Sequence, residues 1–361
     1  MYFKDELATR LSDPKTLKLA TKSVHQELTS KLANGGDYFL PRGVKYPFFF
    51  PDVTLEHPGV SVADVNGDGL EDIYVAMQHQ TNLLFVKQPN GTFVESASEF
   101  GLDIQADSTC SIFADFDNDG DLDAFIGRGR HPSKYLVNSD GKFYDSKMLI
   151  DQPLPALVSS ITATDFNGDG LLDVYLSTYS PIEAEYQNES KPVWAGLFLN
   201  DEQAQEFSRR QNESHTFLAR TGPPNLLLRN TGQGKFVKAN ESKTLELWKM
   251  TFQAAWHDFD DDGDPDLYVA NDYHQDNFFR NDGDSGFVDI TQQIGLTEMG
   301  FAMGVSFGDY NNDGETDIYV SNMFSKAGQR ILSQVDDVDP RFKQMAKGNF
   351  LYKKSGEGFE L

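Results

Sequence analysis

Short apolar segments that alternate with polar residues recur along most of this chain, and they predict β-strands. Five of these segments read DIYVA, DAFIG, DVYLS, DLYVA and DIYVS, and they are rich in β-branched and aromatic residues. Each follows another short strand-like segment across a polar loop, and these partners end in SVAD, SIFAD, ITATD, AAWHD and VSFGD. The pattern predicts five antiparallel strand pairs, which we label A and B in each unit.

A hairpin pattern follows each pair. It reads NLLFVKQPNGTFVE, KYLVNSDGKFYD, NLLLRNTGQGKFVK, NFFRNDGDSGFVDI and NFLYKKSGEGFEL, each a strand, a turn rich in Asn and Gly, and a second strand. These are strands C and D of a four-stranded unit. Equivalent residues of successive units lie 51, 50, 93 and 51 positions apart. This repeat predicts an all-β protein, a β-propeller with one blade per unit and five units in this chain.

Three segments depart from the repeat. The longest interval contains the polar, irregular residues 178–222, interpreted as an insertion between strands B and C; a hidden blade with a decayed loop is the alternative. A smaller insertion, 322–348, occupies the same connection of the fifth unit and reads as helical. Before the propeller domain at 45–361, residues 1–44 contain Asp13 ahead of Pro14, which is typical of a helix start. We expect either a short amphipathic helix docked on the β domain or a flexible lead-in there.

The loop between strands A and B has the same acidic pattern in every unit. Its odd positions carry mostly Asp, Glu or Asn and position 6 is Gly, as in DFDNDGDLD of the second unit. Like charges this close repel one another unless a cation lies between them. Asp and Asn offer the hard oxygen ligands that Ca²⁺ prefers, position 7 can offer its backbone carbonyl, and glycine permits a sharp turn. The predicted ligands, for one Ca²⁺ per loop, are Asp64, Asn66, Asp68, Leu70, Asp72, Asp115, Asp117, Asp119, Asp121, Asp123, Asp165, Asn167, Asp169, Leu171, Asp173, Asp258, Asp260, Asp262, Asp264, Asp266, Asp309, Asn311, Asp313, Glu315 and Asp317.

An EF-hand is the first alternative for such a loop, and the sequence argues against it. That loop requires a bidentate Glu at position 12 and a helix on each side. Position 12 is apolar in every unit, at Val75, Ile126, Leu176, Val269 and Val320. The loops therefore connect strands. The first and third carry Asn at position 3 and Leu at position 7, and we expect them to bind Ca²⁺ more weakly than the others.

The formal net charge of −25 is concentrated in these loops, whose odd positions carry 20 of the 56 acidic residues. The acidity argues against a nucleic-acid partner, because phosphates would be repelled. No apolar run is long enough to span a membrane, and the N-terminus has no apolar signal region. The protein is therefore either cytosolic or exported by a signal absent from this chain. Since such loops usually require more Ca²⁺ than the cytosol offers, we expect an extracellular, periplasmic or cell-surface location.

On these acidic loops, the DIYVxN-type strands and the NxLYxNxGxGxF hairpins, residues 48–361 resemble the FG-GAP or VCBS repeats of integrin α-like propellers. The cartilage-acidic-protein-like branch is especially similar. The resemblance implies a β-propeller that binds Ca²⁺ in its A–B loops. Members of the family are mostly exported or cell-surface proteins, and many have more blades than are visible here. We therefore expect this chain to be part of a longer propeller.

Three histidines occupy equivalent positions beyond strand B. His79, His131 and His274 follow the first ligand of their own loops by 15, 16 and 16 residues. They are therefore expected in the B–C connections, at the edge opposite the Ca²⁺ loops, near Arg128, Arg130 and Asp272. A convergent cluster would form a ligand or metal site, whereas three unrelated surface histidines are the alternative.

The sequence is compatible with two classes of function. The first is a binding or adhesion module, in which the Ca²⁺-stiffened propeller presents its B–C connections and both insertions to a protein or glycan partner. The second is a propeller-scaffold enzyme, a lyase or hydrolase, with its site among the same connections. The sequence contains no GxSxG, HExxH or phosphate-binding glycine loop, so the binding module is preferred.

Overall fold

The computed structural model describes residues 7–11, 13–21, 59–78, 80–105, 107–129, 131–179, 199–213, 221–239, 242–323, 341, 345 and 347–361. Within these ranges the strands form five four-stranded antiparallel sheets, which we call blades 1 to 5. The strands are β1 (Gly59–Ala63), β2 (Asp72–Ala76), β3 (Leu83–Lys87) and β4 (Phe93–Glu95) in blade 1; β5 (Ser108–Ala114), β6 (Asp123–Arg128), β7 (Lys134–Ser139) and β8 (Lys142–Asp145) in blade 2; β9 (Val158–Thr164), β10 (Asp173–Thr178), β11 (Leu226–Asn230) and β12 (Phe236–Lys238) in blade 3; β13 (Met250–His257), β14 (Asp266–Asp272), β15 (Asn277–Asn281) and β16 (Phe287–Asp289) in blade 4; and β17 (Ala302–Gly308), β18 (Asp317–Asn322), β19 (Phe350–Ser355) and β20 (Gly358–Glu360) in blade 5. The α-helices are α1 (Leu7–Arg10), α2 (Pro14–Thr21), α3 (Ala97–Phe100), α4 (Asp201–Glu213) and α5 (Ser242–Leu245), and 3₁₀ turns lie at Lys147–Leu149 and Gly283–Ser285.

Strand order follows the chain in every blade, so each sheet is a meander of strands A, B, C and D. The predicted four-stranded units and the all-β fold class are therefore confirmed. All five A–B loops and the C–D turns lie at one edge of the blades, which we call the acidic edge. The B–C connections and the D–A connections between blades lie at the opposite edge, which we call the B–C edge.

The first strands of consecutive blades contact one another, as in a β-propeller: β1 contacts β5, β5 contacts β9, β9 contacts β13, and β13 contacts β17. A side chain of one first strand is hydrogen-bonded to the backbone of the next at each of these junctions. The bonds are Ser61 Oγ to the Ser111 carbonyl at 2.8 Å, Thr109 Oγ1 to the Val158 carbonyl at 2.5 Å, Ser159 Oγ to the Thr251 carbonyl at 2.6 Å, and Val305 N–H to Gln253 Oε1 at 2.9 Å.

The core is divided into apolar layers between consecutive blades. Tyr74 of blade 1 packs edge-on against Phe113 of blade 2, with ring centroids 5.3 Å apart. Phe125 of blade 2 packs in the same way on Phe236 of blade 3 at 5.2 Å. Each blade therefore contributes one face to the layer before it and the other face to the layer after it.

The N-terminal segment packs on blade 1. Helix α2 begins after Asp13, whose Oδ2 accepts the Thr16 N–H at 2.9 Å, as a capping residue does. Leu11 is buried against Leu83 and Phe85 of blade 1, and Leu17 lies beside them. Residues 22–44 lie outside the described part of the chain, so the domain boundary at residue 44 stays a prediction.

The insertion between β10 and β11 is partly helical, which the prediction of an irregular segment missed. Helix α4 contains few apolar residues, but Ala204 and Phe207 share one face and are buried, at 4% and 0% exposure. Phe207 belongs to a cluster with Tyr179 and Met250 from blades 3 and 4. The polar composition concealed the helix because only one narrow stripe packs on the blades. Most of the second insertion lies outside the described residues, although residues 341 and 345 are helical.

Candidate metal-binding loops

The acidic loops span 64–71, 115–122, 165–172, 258–265 and 309–316, each between the first two strands of its blade. The first carboxylate of each loop holds the loop backbone. In loop 3, Asp165 Oδ1 accepts the N–H of Asp169 at 3.1 Å and Oδ2 accepts that of Gly170 at 2.7 Å. The same two bonds recur in the other four loops. The position-5 carboxylate also accepts the N–H of position 7, at 3.0 Å between Asp169 and Leu171. The chain therefore wraps around the loop's carboxylates.

Two positions of each loop lie in the left-handed region of backbone space. The position-6 glycines have φ between 82° and 100°. Position 4 has φ between 58° and 70°, and it is Gly, Asn or Asp in every loop: Gly67, Asn118, Gly168, Asp261 and Asn312. These are the residue types that tolerate this conformation best. Sequence analysis assigned no role to position 4, although its restriction to Gly, Asn and Asp was a visible signal.

Carboxylates converge in loops 2 and 4. One oxygen from each of three side chains lies within 4.8 Å of the others, in the groups Asp115, Asp117, Asp119 and Asp258, Asp260, Asp262. In loop 2, burial and then the charge of Asp119 raise the pKa of Asp121 to about 6. Asp121 Oδ1 is buried and accepts no hydrogen bond from the described residues. An all-oxygen donor set with unneutralised charge fits a hard divalent cation such as Ca²⁺.

The position-9 carboxylate, which sequence analysis predicts as a ligand, has a structural role in every loop. Asp173 is completely buried; its Oδ1 accepts the N–H of Asn230 in strand C at 2.7 Å, and its Oδ2 accepts the N–H of Phe166 in the loop at 3.3 Å. Burial raises the pKa of Asp173 to about 7. The position therefore joins the acidic loop to strand C. Metal ligation by position 9, as by the other loop residues, stays a prediction.

Strand C also ties loops 2, 3 and 4 to the blade that follows each of them. Asn230 Nδ2 donates to the carbonyl of Phe116, position 2 of loop 2, at 2.7 Å, and Asn281 Nδ2 donates in the same way to Phe166 of loop 3 at 2.7 Å. In blade 5 the residue is Lys354, whose Nζ donates to the Phe259 carbonyl at 2.7 Å. Loops of adjacent blades are therefore connected through a single side chain.

Loop 5 differs from the others because lysines from its own strand C reach it. Lys353 Nζ lies 3.1 Å from Asp313 Oδ2, at position 5. Lys354 Nζ lies 3.7 Å from Glu315 Oε2, at position 7. These ammonium groups partly neutralise the carboxylates that would otherwise face a cation. Sequence analysis ranked loops 1 and 3 as the weak sites and did not recognise this feature of loop 5.

The B–C edge brings a histidine and a carboxylate together. His131 lies between β6 and β7, and its Nδ1 is 3.0 Å from Oδ2 of Asp107, which precedes β5. Asp107 was not predicted, and it has the unusual φ of 70°. His274 lies in the equivalent connection of blade 4, as predicted, but His79 is outside the described residues. Convergence of the three histidines therefore stays a prediction.

A cleft of about 170 Å³ lies at the same edge, beside helix α4. Its walls are about equally polar and apolar, with Pro155, Leu199 and Gln203 among the lining residues. The Lys238–Glu246 ion pair, with Nζ and Oε2 2.7 Å apart, also lines it. Within the described ranges, no helix is both long and apolar enough to cross a membrane.

Sequence comparison identifies the repeats. The FG-GAP-like repeat matches residues 64–126, 115–176 and 258–320, and these ranges contain all five acidic loops. Cartilage acidic protein 1 of Mus musculus is 33% identical over 127 residues, and that of Homo sapiens is 30% identical over 127 residues. Each alignment covers 33% of this chain and 19% of the relative. The chain therefore matches about a fifth of the length of these relatives.

The solved structures that align with this chain are distant from it in sequence and only loosely similar in fold. The V. cholerae biofilm matrix protein Bap1 aligns over 82% of this chain and 39% of its own, with a TM-score of 0.41 and 13% identity. A rhamnogalacturonan lyase of Bacillus licheniformis aligns over 75% of this chain and 47% of its own, with a TM-score of 0.33 and 16% identity. The matched repeats and the five four-stranded blades lead to one conclusion: this chain belongs to the FG-GAP repeat family and folds as β-propeller blades.

Proposed function

We propose that this protein is an exported, calcium-binding β-propeller that uses its B–C edge to bind a protein or glycan partner. The observation that carries the calcium assignment is the convergence of three carboxylates in loops 2 and 4, beside the buried, unbonded oxygen of Asp121. In this proposal Ca²⁺ neutralises each loop and stiffens the connection between strands A and B.

Two considerations support export. Loops of this type usually need Ca²⁺ concentrations above those of the cytosol. The curated relatives carry the name cartilage acidic protein, and cartilage is a tissue that consists mostly of extracellular matrix. Calcium outside the cell would keep the loops occupied and the propeller rigid.

The division of the molecule into two edges supports a binding role. The acidic edge is occupied by the metal loops, whereas the chain is lengthened only in B–C connections, by the segments 178–222 and 322–348. Functional residues gather on loops that a rigid scaffold holds in place. The cleft beside α4 and the Asp107–His131 pair lie on this lengthened edge.

A binding screen on immobilised oligosaccharides and extracellular-matrix proteins, with Ca²⁺ present, tests this proposal. Deleting the whole insertion would expose the cluster around Phe207, so a point substitution is the better probe. Gln152→Trp should fill the cleft and abolish binding, whereas Lys142→Glu, on an exposed outer strand, should leave binding unchanged. Absence of binding to every probe, or binding that survives Gln152→Trp, would contradict the proposed B–C edge.

A further inference from the structure

Loops 1 and 3 contain the dipeptide Asn–Gly at positions 3 and 4, as Asn66–Gly67 and Asn167–Gly168. The side-chain amide of an asparagine can react with the backbone nitrogen of the residue that follows it. Glycine favours this reaction because it has no Cβ to obstruct the approach of the two groups. Both dipeptides are exposed to solvent. Loops 2 and 4 have Asp at position 3, so they lack the reactive amide.

The loop backbone holds each of these amides in a turn that favours attack. Asn66 Oδ1 accepts the Asp68 N–H at 3.0 Å, and Asn167 Oδ1 accepts the Asp169 N–H at 3.1 Å. The ring closed by each hydrogen bond contains both the asparagine Cγ and the glycine nitrogen, so these two atoms are kept near one another. The same N–H donor stabilises the negative charge that develops on Oδ1 when Cγ is attacked.

The glycine nitrogens of these two loops are available as nucleophiles. Among the described residues, the N–H groups of Gly67 and Gly168 have no hydrogen-bond acceptor. In loop 1 the leaving nitrogen, Asn66 Nδ2, donates to Asp68 Oδ2 at 3.1 Å, so a carboxylate lies beside the group that must depart. Nucleophile, carbonyl and leaving group are therefore all placed by the loop itself.

Other asparagines of the chain have only part of this arrangement. Asn90 precedes Gly91 in the C–D turn of blade 1, but the Gly91 N–H donates to the Gln88 carbonyl at 2.7 Å. Asn311 of loop 5 accepts the Asp313 N–H at 2.8 Å, as in loops 1 and 3, but the next residue is Asn312, which has a Cβ. These two positions separate the effect of the turn from the effect of the glycine.

We propose that Asn66 and Asn167 deamidate spontaneously, which makes loops 1 and 3 self-modifying sites. The glycine nitrogen bonds to Cγ and loses its proton, the Cγ–Nδ2 bond breaks, and ammonia leaves, which closes a succinimide ring. Water then opens the ring at either carbonyl and gives an aspartate or an isoaspartate. The aspartate supplies the position-3 carboxylate that Asp117 and Asp260 supply in loops 2 and 4. The isoaspartate lengthens the backbone by an atom and disrupts the loop.

The reaction is independent of the proposed function, whereas its effect on Ca²⁺ affinity rests on the proposed calcium binding. Excess Ca²⁺ should slow deamidation in both loops, because an Oδ1 that ligates the cation holds the amide away from the glycine nitrogen. Deamidation that proceeds in chelator and is not slowed by Ca²⁺ would support the reaction and contradict calcium ligation at these loops.

Ageing the whole chain in chelator and mildly alkaline buffer, followed by peptide mapping with mass spectrometry, tests the proposal. Both loop asparagines should gain about one mass unit, at least about tenfold faster than Asn90 and Asn311 do. In urea the difference between Asn66 and Asn90 should disappear, because both precede glycine and the turns are lost. Amides that persist in loops 1 and 3 as long as those of Asn90 and Asn311 would overturn the proposal.

Exchanging the position-4 residue between loops tests the role of the glycine. Gly67→Asn gives loop 1 the residue that loops 2 and 5 carry at position 4, and it should slow deamidation of Asn66 at least about tenfold. The rate at Asn167 in the same molecule is the control and should not change. Asn312→Gly should make Asn311 react as fast as Asn66. An Asn311 that stays unreactive beside the new glycine would overturn the mechanism.

Discussion

At the residue scale, one polar side chain before strand C closes the B–C connection of each blade. Asn225 shows the arrangement: its Oδ1 accepts the Thr178 N–H at 2.8 Å and its Nδ2 donates to the Tyr175 hydroxyl at 3.0 Å. The residue is Asn82, Ser133, Asn225, Asp276 and Asn349 in the five blades. Blade 4 therefore has a carboxylate where its neighbours have neutral groups.

Asp276 makes the stability of blade 4 depend on pH. Its Oδ1 accepts the Asn271 N–H and its Oδ2 accepts the Tyr268 hydroxyl, both at 2.7 Å. Burial raises the pKa of Asp276 from its ordinary 3.8 to about 6, although nearby Lys249 acts in the opposite direction. Between these values the folded state holds a proton that the unfolded state has released, so this group's contribution to stability is present below pH 4 and is lost as the pH rises to 6.

Asp276→Asn should remove that dependence, because a neutral amide can donate to Tyr268 as Asn225 donates to Tyr175. The free energy of unfolding of the variant minus that of the wild type should increase by about 2–3 kcal/mol as the pH rises from 4 to 7. Urea unfolding at several pH values measures the difference. Asn225→Asp is the reverse control and should lose stability over the same range; parallel curves for wild type and Asp276→Asn would contradict the assignment.

The position-9 carboxylate should matter for folding even without metal. Asp173→Asn leaves one of two inward-pointing backbone N–H groups facing an amide NH₂, which should cost about 2–4 kcal/mol with or without Ca²⁺. Asp169→Asn is the control, since Asn Oδ1 can still accept the Leu171 N–H. It should destabilise the protein only when Ca²⁺ is present. Unfolding curves measured in chelator and in Ca²⁺ distinguish the two variants. Equal behaviour of the variants would refute the structural role of position 9.

At the element scale, strand C sets the affinity of loop 5. Lys353 is half exposed and pairs with Asp313, so a cation entering this loop must compete with an ammonium group. The pKa of Asp313 is lowered by the Glu315 N–H and then by Lys353, which shows that the carboxylate is already stabilised in its charged form.

Lys353→Gln should therefore strengthen cation binding at loop 5, by about 2- to 5-fold for a partly exposed pair. The part of the terbium luminescence that is lost in Tyr310→Phe reports this loop, because Tyr310 is its position-2 residue. The remaining signal includes loop 2, where the Tyr135 hydroxyl lies 3.3 Å from Asp123 Oδ2. Lys142→Gln, an exposed lysine of blade 2, should not change the loop-5 part. An affinity unchanged by Lys353→Gln would show that the ion pair does not control the site.

At the scale of the whole molecule, the loops are parts of one connected system. Asp173 fixes the backbone of Asn230, and Asn230 in turn holds the loop of the preceding blade through Phe116. The same connection recurs one blade later through Asp266, Asn281 and Phe166. Emptying one loop should therefore loosen the next blade junction as well as its own strands.

Calcium removal should lower the melting temperature and broaden the transition. We expect five Ca²⁺ per chain by native mass spectrometry, with each site adding about 2.7 kcal/mol when free Ca²⁺ is 100 times its dissociation constant. Calorimetric melting with and without chelator measures the effect, and Mg²⁺ at the same ionic strength is the control. Identical melting curves, or a stoichiometry of one or two, would contradict the five-loop prediction.

The strands, their order and the acidic loops could be predicted from the sequence because their signals are local. Alternating apolar residues identify the strands that pair. Five copies of one loop pattern identify a repeat protein, which a single copy would not. Helix α4 was missed because its apolar stripe is narrow. That stripe is recognisable as a packing face only when Phe207 is seen against Tyr179 and Met250, which are distant in the sequence. The Asp107–His131 pair joins two connections distant in the sequence, and no local pattern relates them.

Burial of the strand-B aromatic depended on tertiary structure alone. Blades 1 and 5 contain the identical tetrapeptide DIYV, yet Tyr74 is 1% exposed and Tyr319 is 42% exposed. The sequence by itself determined that both tyrosines lie on a strand and face out of the sheet on the same side. Whether that side is core or surface depends on the neighbouring blade, because burial is a property of what packs against a residue and is not encoded in the residues beside it in the chain.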